Sequence, residues 1–552
     1  MCLACFQWSC SGVQGCDNAP ASGLTADAAT GEVRNYTALL AYLEYPEARL
    51  NAMTQLGTQV FVSYSFLEAA ELSVLTDYQP HPNDGYWSFT AEQRANTRAA
   101  MAAVSAITGV TFVETTGTET MVQIFGTSGS NFGGWAHYPW VSESWGSGTA
   151  YMVIDQTGGF PPGSWAYEIV LHELGHVVGL KHPFDGAVVL ADDLDTTFHT
   201  LMSYNRTDAP RAAYSELDIQ ALQHLYGAQG QSDGWVWHFA GGVFTLTAGP
   251  GADTIIGIGT GSILSGGVDD DLIIGAQGND TLYGGGDNDT LRGGVGSNLL
   301  AGGAGDDRIE GTSAWREGMA GDTVWGGMGD DVVLVYHGQN EVWAGPGQDS
   351  LYGGSGSDTL GGGAGDDLIV GQDGTGNALW GADGRDALIT ADWGDVAGGG
   401  AGDDLVQGGA GWDTLMGGTG NDVVQGGDGS DLIYLGADND TAYGGAGNDT
   451  LLAGPGFDRL WGGSGADRFE FWRGAGWNRI EDYALSDSDR IAIGSGHWRA
   501  DHGILTRQQV VDIFGRLNAA GDAVLDFGSA GTVIVIVGAG SLTDIAYGLE
   551  LI

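Results

Sequence analysis

The sequence predicts a multidomain chain: an α/β domain, then an all-β parallel β-roll, then a C-terminal β cap. Three observations carry that expectation. The chain has 552 residues, too many for one ordinary core. Its second half repeats every nine residues, as in GAQGNDTLY from Gly275 and GGAGDDLIV from Gly362. Its composition is lopsided, with 99 glycines, 12 prolines and 70 acidic against 19 basic residues, a formal net charge of -51. Such a balance argues against nucleic-acid binding, which needs cationic side chains against phosphate. It also repels a compact state unless cations neutralise it, and calcium prefers carboxylate and carbonyl oxygens.

Residues 1–34 read as a cysteine-containing leader or propeptide. Cys2, Cys5, Cys10 and Cys16 are the only cysteines, so the body of the chain relies on no disulfide. Three readings stay open: a small zinc knot on Cys2-x-x-Cys5, a regulatory thiol, and a leader that is simply removed. No charged n-region precedes an apolar h-region, which argues against a cleaved secretory signal. No apolar run approaches the ~18 residues of a spanning helix.

Residues 35–247 carry the α/β pattern. FTAEQRANTRAAMAAVSAITG (Phe89 to Gly109) is rich in helix formers, with Thr90 as N-cap and Glu92 in the first turn. Val110 to Glu114 and Met121 to Phe125 alternate as strands do. SELDIQALQHLYG (Ser215 to Gly227) is an amphipathic helix with a glycine stop.

Residues 248–470 carry the nonapeptide G-G-x-G-x-D-x-U-x, the pattern of an RTX parallel β-roll. Glycines permit tight turns with positive φ. Aspartates and glycine carbonyls supply oxygen ligands for calcium, and the apolar U residue points inward. One repeat buries almost nothing, so the array is stable only as a stack. The expected calcium ligands are Asp253, Asp271, Asp280, Asp289, Asp307, Asp331, Asp349, Asp358, Asp367, Asp386, Asp404, Asp413, Asp422, Asp431, Asp440, Asp449, Asp458 and Asp467. Asn298 breaks the pattern. Gly311 to Trp325, Val335 to Trp343 and Thr390 to Ala397 read as interruptions of the register. Residues 471–552, with stretches such as TVIVIVG (Thr532 to Gly538), are expected to cap the open end as a β element.

The chemistry concentrates in HELGHVVGLKHP, His172 to Pro183. On a helix His172 and His176 share one face and suit zinc, and Glu173 sits where its carboxylate reaches an activated water. Gly179 lets the chain leave the helix and return His182 as third ligand, while Pro183 discourages more helix. The structural alternative is a solvated helix with stray histidines.

The extended H-E-x-x-H-x-x-G-x-x-H pattern resembles the metzincin zinc peptidases, and TLMSY (Thr200 to Tyr204) resembles their Met-turn. Together with the RTX repeats it is similar to the serralysin family of secreted bacterial proteases. VSYSFL (Val62 to Leu67), the FTAEQ helix, DIQALQHLYGA (Asp218 to Ala228), GADRFEF and DRIAI extend the likeness over nearly everything after about residue 35. The resemblance implies a metzincin-like catalytic domain and a zinc metalloendopeptidase. It makes His172, His176 and His182 zinc ligands and Glu173 the general base. Met202 becomes the floor below the metal, and Tyr204 a group that ligates zinc and swings away to stabilise the oxyanion. For Met202 and Tyr204 core packing is the plain alternative.

The resemblance also implies substrate pairing along Gly133, Gly134, Trp135 and Ala136, type I secretion from a bacterium into the extracellular space, and a proteinaceous inhibitor as a further partner. Glu550-Leu551-Ile552 resembles the family's acidic-then-apolar ending. The stretch between His182 and Met202 is shorter than the family pattern and carries Asp185, Asp192, Asp193 and Asp195; His199 reads as a wall or surface residue. The competing function is a calcium-dependent adhesin or surface-layer protein, and the glutamate with its three histidines argues against it.

Overall fold

The computed structural model describes residues 32–33, 39–40, 60–72, 85–116, 120–128, 134–136, 140–142, 146–148, 150–155, 158–185, 189–190, 194–197, 200–205, 209–227, 235–258, 261–312, 321–374, 376–539 and 541–552. Cys2, Cys5, Cys10, Cys16, Gly133, Asp192, Asp193 and His199 lie outside the described residues. Two compact units divide within the repeats, one running to Gly267 with Leu272–Leu282, the other made of Val268–Asp271 and Tyr283–Ile552.

The first unit is built on a mixed sheet. Val60–Phe66 is buried at every position and pairs in parallel with Val110–Glu114 and Val122–Ser128. Both faces are buried, and Ser63 and Ser65 are satisfied inside by the Met121 N–H and by Thr120 Oγ1. Ala150–Ile154 follows in parallel, and Gly134–Ala136 closes that edge antiparallel to it. Ala91–Ser105 starts at Thr90, whose side chain and that of Gln93 form a capping box. Its buried stripe, Gln93, Thr97, Ala100, Met101 and Val104, follows helical spacing. Trp165–Val177, capped by Ser164, packs beside it with Val170, Leu171, Leu174 and Val177 in the same core. The expected helix over Ser215 to Gly227 is present as Glu216–Tyr226, stopped at Gly227 with φ 73°.

The repeats form a parallel β-solenoid in which successive strands alternate between two sheets. One coil therefore takes two nonapeptides, and the typical register is 18 residues, as for Thr254 on Leu272. The apolar U positions, from Leu282 and Leu291 to Leu460 and Phe469, are fully buried between the sheets. Val236–Ala240 and Val243–Thr247 already join one of these sheets ahead of residue 248.

Among the described residues the strands of the interrupted stretches stay in register. Thr323–Met328, Glu341–Pro346 and Val396–Ala401 keep their ladder positions as regular strands. Length is absorbed in coils of 24 and 19 residues. The sheets also continue past Glu470, through Gly476–Ile480 and Arg490–Ile493. The cap is not purely β: it carries the helices Arg507–Phe514 and Leu542–Gly548 beside the antiparallel strands Gly515–Leu517, Ala523–Asp526 and Thr532–Ile536. TVIVIVG, a β-branched apolar run, reads as a strand, but the helical phases in RQQVVDIF and LTDIAYG are too short to dominate a sequence pattern. Leu549–Leu551 pairs with Ile491–Ile493, and Glu550 meets Arg468 at 3.1 Å. Among the described residues no helix is long and apolar enough to cross a membrane.

Candidate metal centre and active site

The helix Trp165–Val177 carries His172 and His176 one turn apart. Its end is a Schellman motif: Gly179, φ 88°, donates its N–H to His176 O at 2.9 Å, and Leu180 donates to Gly175 O at 2.9 Å. A residue with a Cβ is strained in that left-handed conformation, so glycine is required where the chain reverses. The reversed segment is pinned when Lys181 donates its N–H to Leu39 O at 2.9 Å. His182 then returns to the helix face.

The ligand atoms of His172, His176 and His182 all lie within 4.8 Å of one another. The Nε2 atoms of His172 and His176 are each 3.2 Å from Nε2 of His182. On the far side of each ring Nδ1 meets an acceptor: Leu201 O at 2.9 Å, Leu180 O at 2.7 Å and Asp185 Oδ2 at 2.7 Å, respectively. A backbone carbonyl only accepts, so the protons of His172 and His176 sit on Nδ1 and their Nε2 lone pairs face inward. Burial, then the neighbouring His172 and His182, hold His176 well below the usual imidazole range, hence neutral. Facing acceptors repel unless a cation lies between them, so this donor set fits a metal, and three imidazoles suit zinc.

Glu173 is buried beside the cluster, and among the described residues its Oε2 has no hydrogen-bond partner. Burial pushes its carboxyl up to about 8, against the backbone N–H of Ala136, which favours the charged form. A methyl added at Gly134 would stand 3.0 Å from the Glu173 side chain, so the sheet's edge strand runs directly past this carboxylate. The structure thus brings Gly134 and Ala136 to Glu173, and the strand Gly134–Ala136 includes the backbone of Trp135.

Met202 is fully buried under the helix, where a methyl at Gly175 would lie 2.5 Å from its sulfur. The Tyr204 ring, 46% exposed, sits 4.6 Å from the His182 ring and 5.6 Å from that of His172. Sequence reasoning missed three neighbours. Asp218, with no exposed surface, accepts from Thr200 Oγ1 at 2.6 Å, Leu201 N at 2.8 Å and Ser215 N at 2.9 Å, tying the Met-turn to a helix start. The S-x-x-D spacing of a capping box was its only signal. Phe184 stacks on His182 at 5.1 Å and reaches Tyr204 at 5.4 Å. Asp185 orients His182, although the sequence showed it only as one acid among several. Such outer partners fix ring orientation and ligand basicity, so Asp185→Ala is expected to weaken zinc binding about 10–100-fold, measured by competition with a chromogenic chelator.

From Asp280 onward the aspartates that close the turns accept, through Oδ1, the N–H of the rung one coil earlier, as Asp289 does from Asp271 at 2.8 Å. From Asp289 to Asp467 the other oxygen, Oδ2, is buried without a partner among the described residues at every such aspartate except Asp322 and Asp395. A methyl at Gly284 would collide with Asp289 Oδ2 and with Gly302 O one coil on. Carboxylate and carbonyl oxygens therefore face one another, the chemistry of a calcium cradle. Asp271 and Asp280 stand in the same rows, and Asp253 precedes them half-exposed. Asp322, Asp395 and Asp489 occupy further rungs that sequence reasoning did not assign.

The model for the RTX calcium-binding nonapeptide repeat matches residues 259–291, 283–313, 321–335, 343–378, 394–424, 407–442, 416–451 and 443–477. The chain is 28% identical over 198 residues to metallopeptidase AprA of Pseudomonas marginalis, covering 31% of this chain and 40% of that protein. It is 27% identical over 203 residues to serralysin C of Dickeya chrysanthemi, covering 31% and 41%. The matched length is thus about 40% of these curated relatives. The high choriolytic enzyme 1 of Medaka, a hatching enzyme zinc-protease, aligns with 31% of this chain and 91% of its own, at 16% identity and a TM-score of 0.19, too low to bear on the fold.

Proposed function

We propose that this chain, a serralysin-type metalloprotease relative with RTX calcium-binding repeats, is a secreted zinc endopeptidase that cuts extended polypeptides. One arrangement carries the reading: three imidazole Nε2 atoms converge beside a buried glutamate oxygen that has no partner among the described residues. His172, His176 and His182 hold the metal. Zinc, when bound, polarises the scissile carbonyl and makes water a nucleophile near neutral pH. Glu173 accepts the proton of that water and returns it to the leaving amine. The Tyr204 hydroxyl donates to the developing oxyanion. An extended substrate adds to the edge strand Gly134–Ala136 by backbone pairing, which brings its scissile bond past Glu173.

Calcium belongs to the same reading. Where calcium is scarce the aspartate rows repel and the chain stays unfolded, fit for a narrow exporter reading a C-terminal signal. Outside, sites of the ~10⁻⁴–10⁻³ M extracellular class fill and the roll closes. The test is casein hydrolysis with calcium kept saturating. Activity is expected to vanish on zinc-selective chelation and to return with added zinc; unaltered hydrolysis after zinc removal would sink the reading. Tyr204→Phe should lower kcat by about 10²–10³-fold with little change in KM, the signature of a lost transition-state donor.

A further inference from the structure

The side chains that close the turns form two rows, one ahead of the strands of each sheet. The row through Asp289, Asp307 and Asp331 to Asp458 is aspartate throughout, and each of these has a buried, partnerless Oδ2. The other row differs in its first half: Asn298, Asp322, Asn340, Asp358, Asn377 and Asp395 follow one another, coil after coil. From Asp413 it is aspartate again.

Protein donors fill the interrupted stretch where the cradle elsewhere offers only oxygens. Thr312 donates its hydroxyl to Gly296 O at 2.6 Å and its N–H to Asp322 Oδ2 at 2.6 Å. Ser355 donates its hydroxyl to Tyr336 O at 3.2 Å. Thr390 donates to Gly408 O, and Ala391 donates its N–H to Asp395 Oδ2 at 3.0 Å. The asparagines invert the remaining polarity. A methyl at Gly371 would lie 3.0 Å from Asn377 Nδ2, whereas one at Gly353 would lie 2.9 Å from Asp358 Oδ2. An amide N–H aimed there repels a cation. Asp358 alone keeps an open Oδ2, but its row neighbours are Asn340 and Asn377, and calcium affinity falls with the number of charged ligands.

We propose that the roll binds calcium along one complete row and along only the second part of the other, the stretch from Asn298 to Asp395 being a metal-free seam closed by hydrogen bonds from Thr312, Ser355 and Thr390. The seam replaces metal ligation by direct contacts, so its turns take no calcium of their own, while the stack as a whole still folds only when the complete row is filled. It goes beyond the peptidase reading, and its test uses no substrate.

The experiment counts calcium bound to the full-length protein at saturating free calcium by equilibrium dialysis and elemental analysis. Asp322→Asn and Asp395→Asn are expected to keep the wild-type count. Asp331→Asn and Asp404→Asn, in the complete row, are expected to lose on the order of one ion per chain or more. Losses from Asp322→Asn or Asp395→Asn as large as from the second pair would overturn the seam. The wild type provides a check independent of any variant's folding: its count should fall short of full occupancy of both rows, and full occupancy would overturn the proposal.

Discussion

Glu173→Gln is expected to lower kcat for casein hydrolysis by about 10²–10⁴-fold while bound zinc stays unchanged. The amide keeps the shape of the side chain and can still meet the protein, but it cannot take a proton. Glu173 is buried, one oxygen meets no donor among the described residues, and the His172, His176 and His182 nitrogens find their partners without it. Metal retention thus separates a lost base from a lost site. Hydrolysis and zinc content falling together would instead mean that Glu173 holds the centre together.

The second large effect is calcium removal. In chelator at pH 8 the β signal of residues 248–470 is expected to collapse, with recovery on returning calcium. The pH dependence of the calcium-free state has a defined sign. Burial pushes the carboxyls of Asp280 and Asp440 up to about 8, and those of Asp331, Asp367, Asp413, Asp449 and Asp458 to about 7, from an ordinary value of 3.8. The folded chain then binds more protons than the unfolded one between about pH 4 and 8, so stability is highest at the acid end and is lost as pH rises through the folded values. In chelator, circular dichroism should show more β structure near pH 5 than at pH 8. With calcium bound the order reverses, because protons compete for the same oxygens. A spectrum indifferent to both chelator and pH would remove the calcium-folded roll.

Those two effects trace to features that a linear reading exposes. The nine-residue period reports local turn chemistry repeated many times, and HELGHVVGLKHP packs two proposed ligands, the proposed base, a reversal and a third proposed ligand into twelve consecutive residues. Gly179 belongs there because the Schellman turn demands a positive φ, a requirement visible in the residue type. What stayed hidden depends on distant partners. Asp218 reaches the Met-turn across 17 and 18 residues, and a single acid in a helix start does not announce that. Asp185 looked like one more negative charge until its geometry put it on His182. The broken repeats looked like lapses of register because their turns depart from the G-G-x-G-x-D spacing. Their strands nevertheless stack in place, since Val324, Val342 and Ala397 keep the apolar phase. Thr312 and Thr390 supply by hydroxyl what a cation supplies elsewhere, and no spacing rule flags such a replacement.

The most direct test loads zinc stepwise into metal-stripped protein held in saturating calcium and follows cleavage of internal bonds in casein. Hydrolysis should rise in proportion to added zinc and level off at about one ion per chain, with Glu173→Gln binding the same zinc and staying silent. No hydrolysis at full zinc occupancy, or equal hydrolysis by Glu173→Gln, would contradict the account.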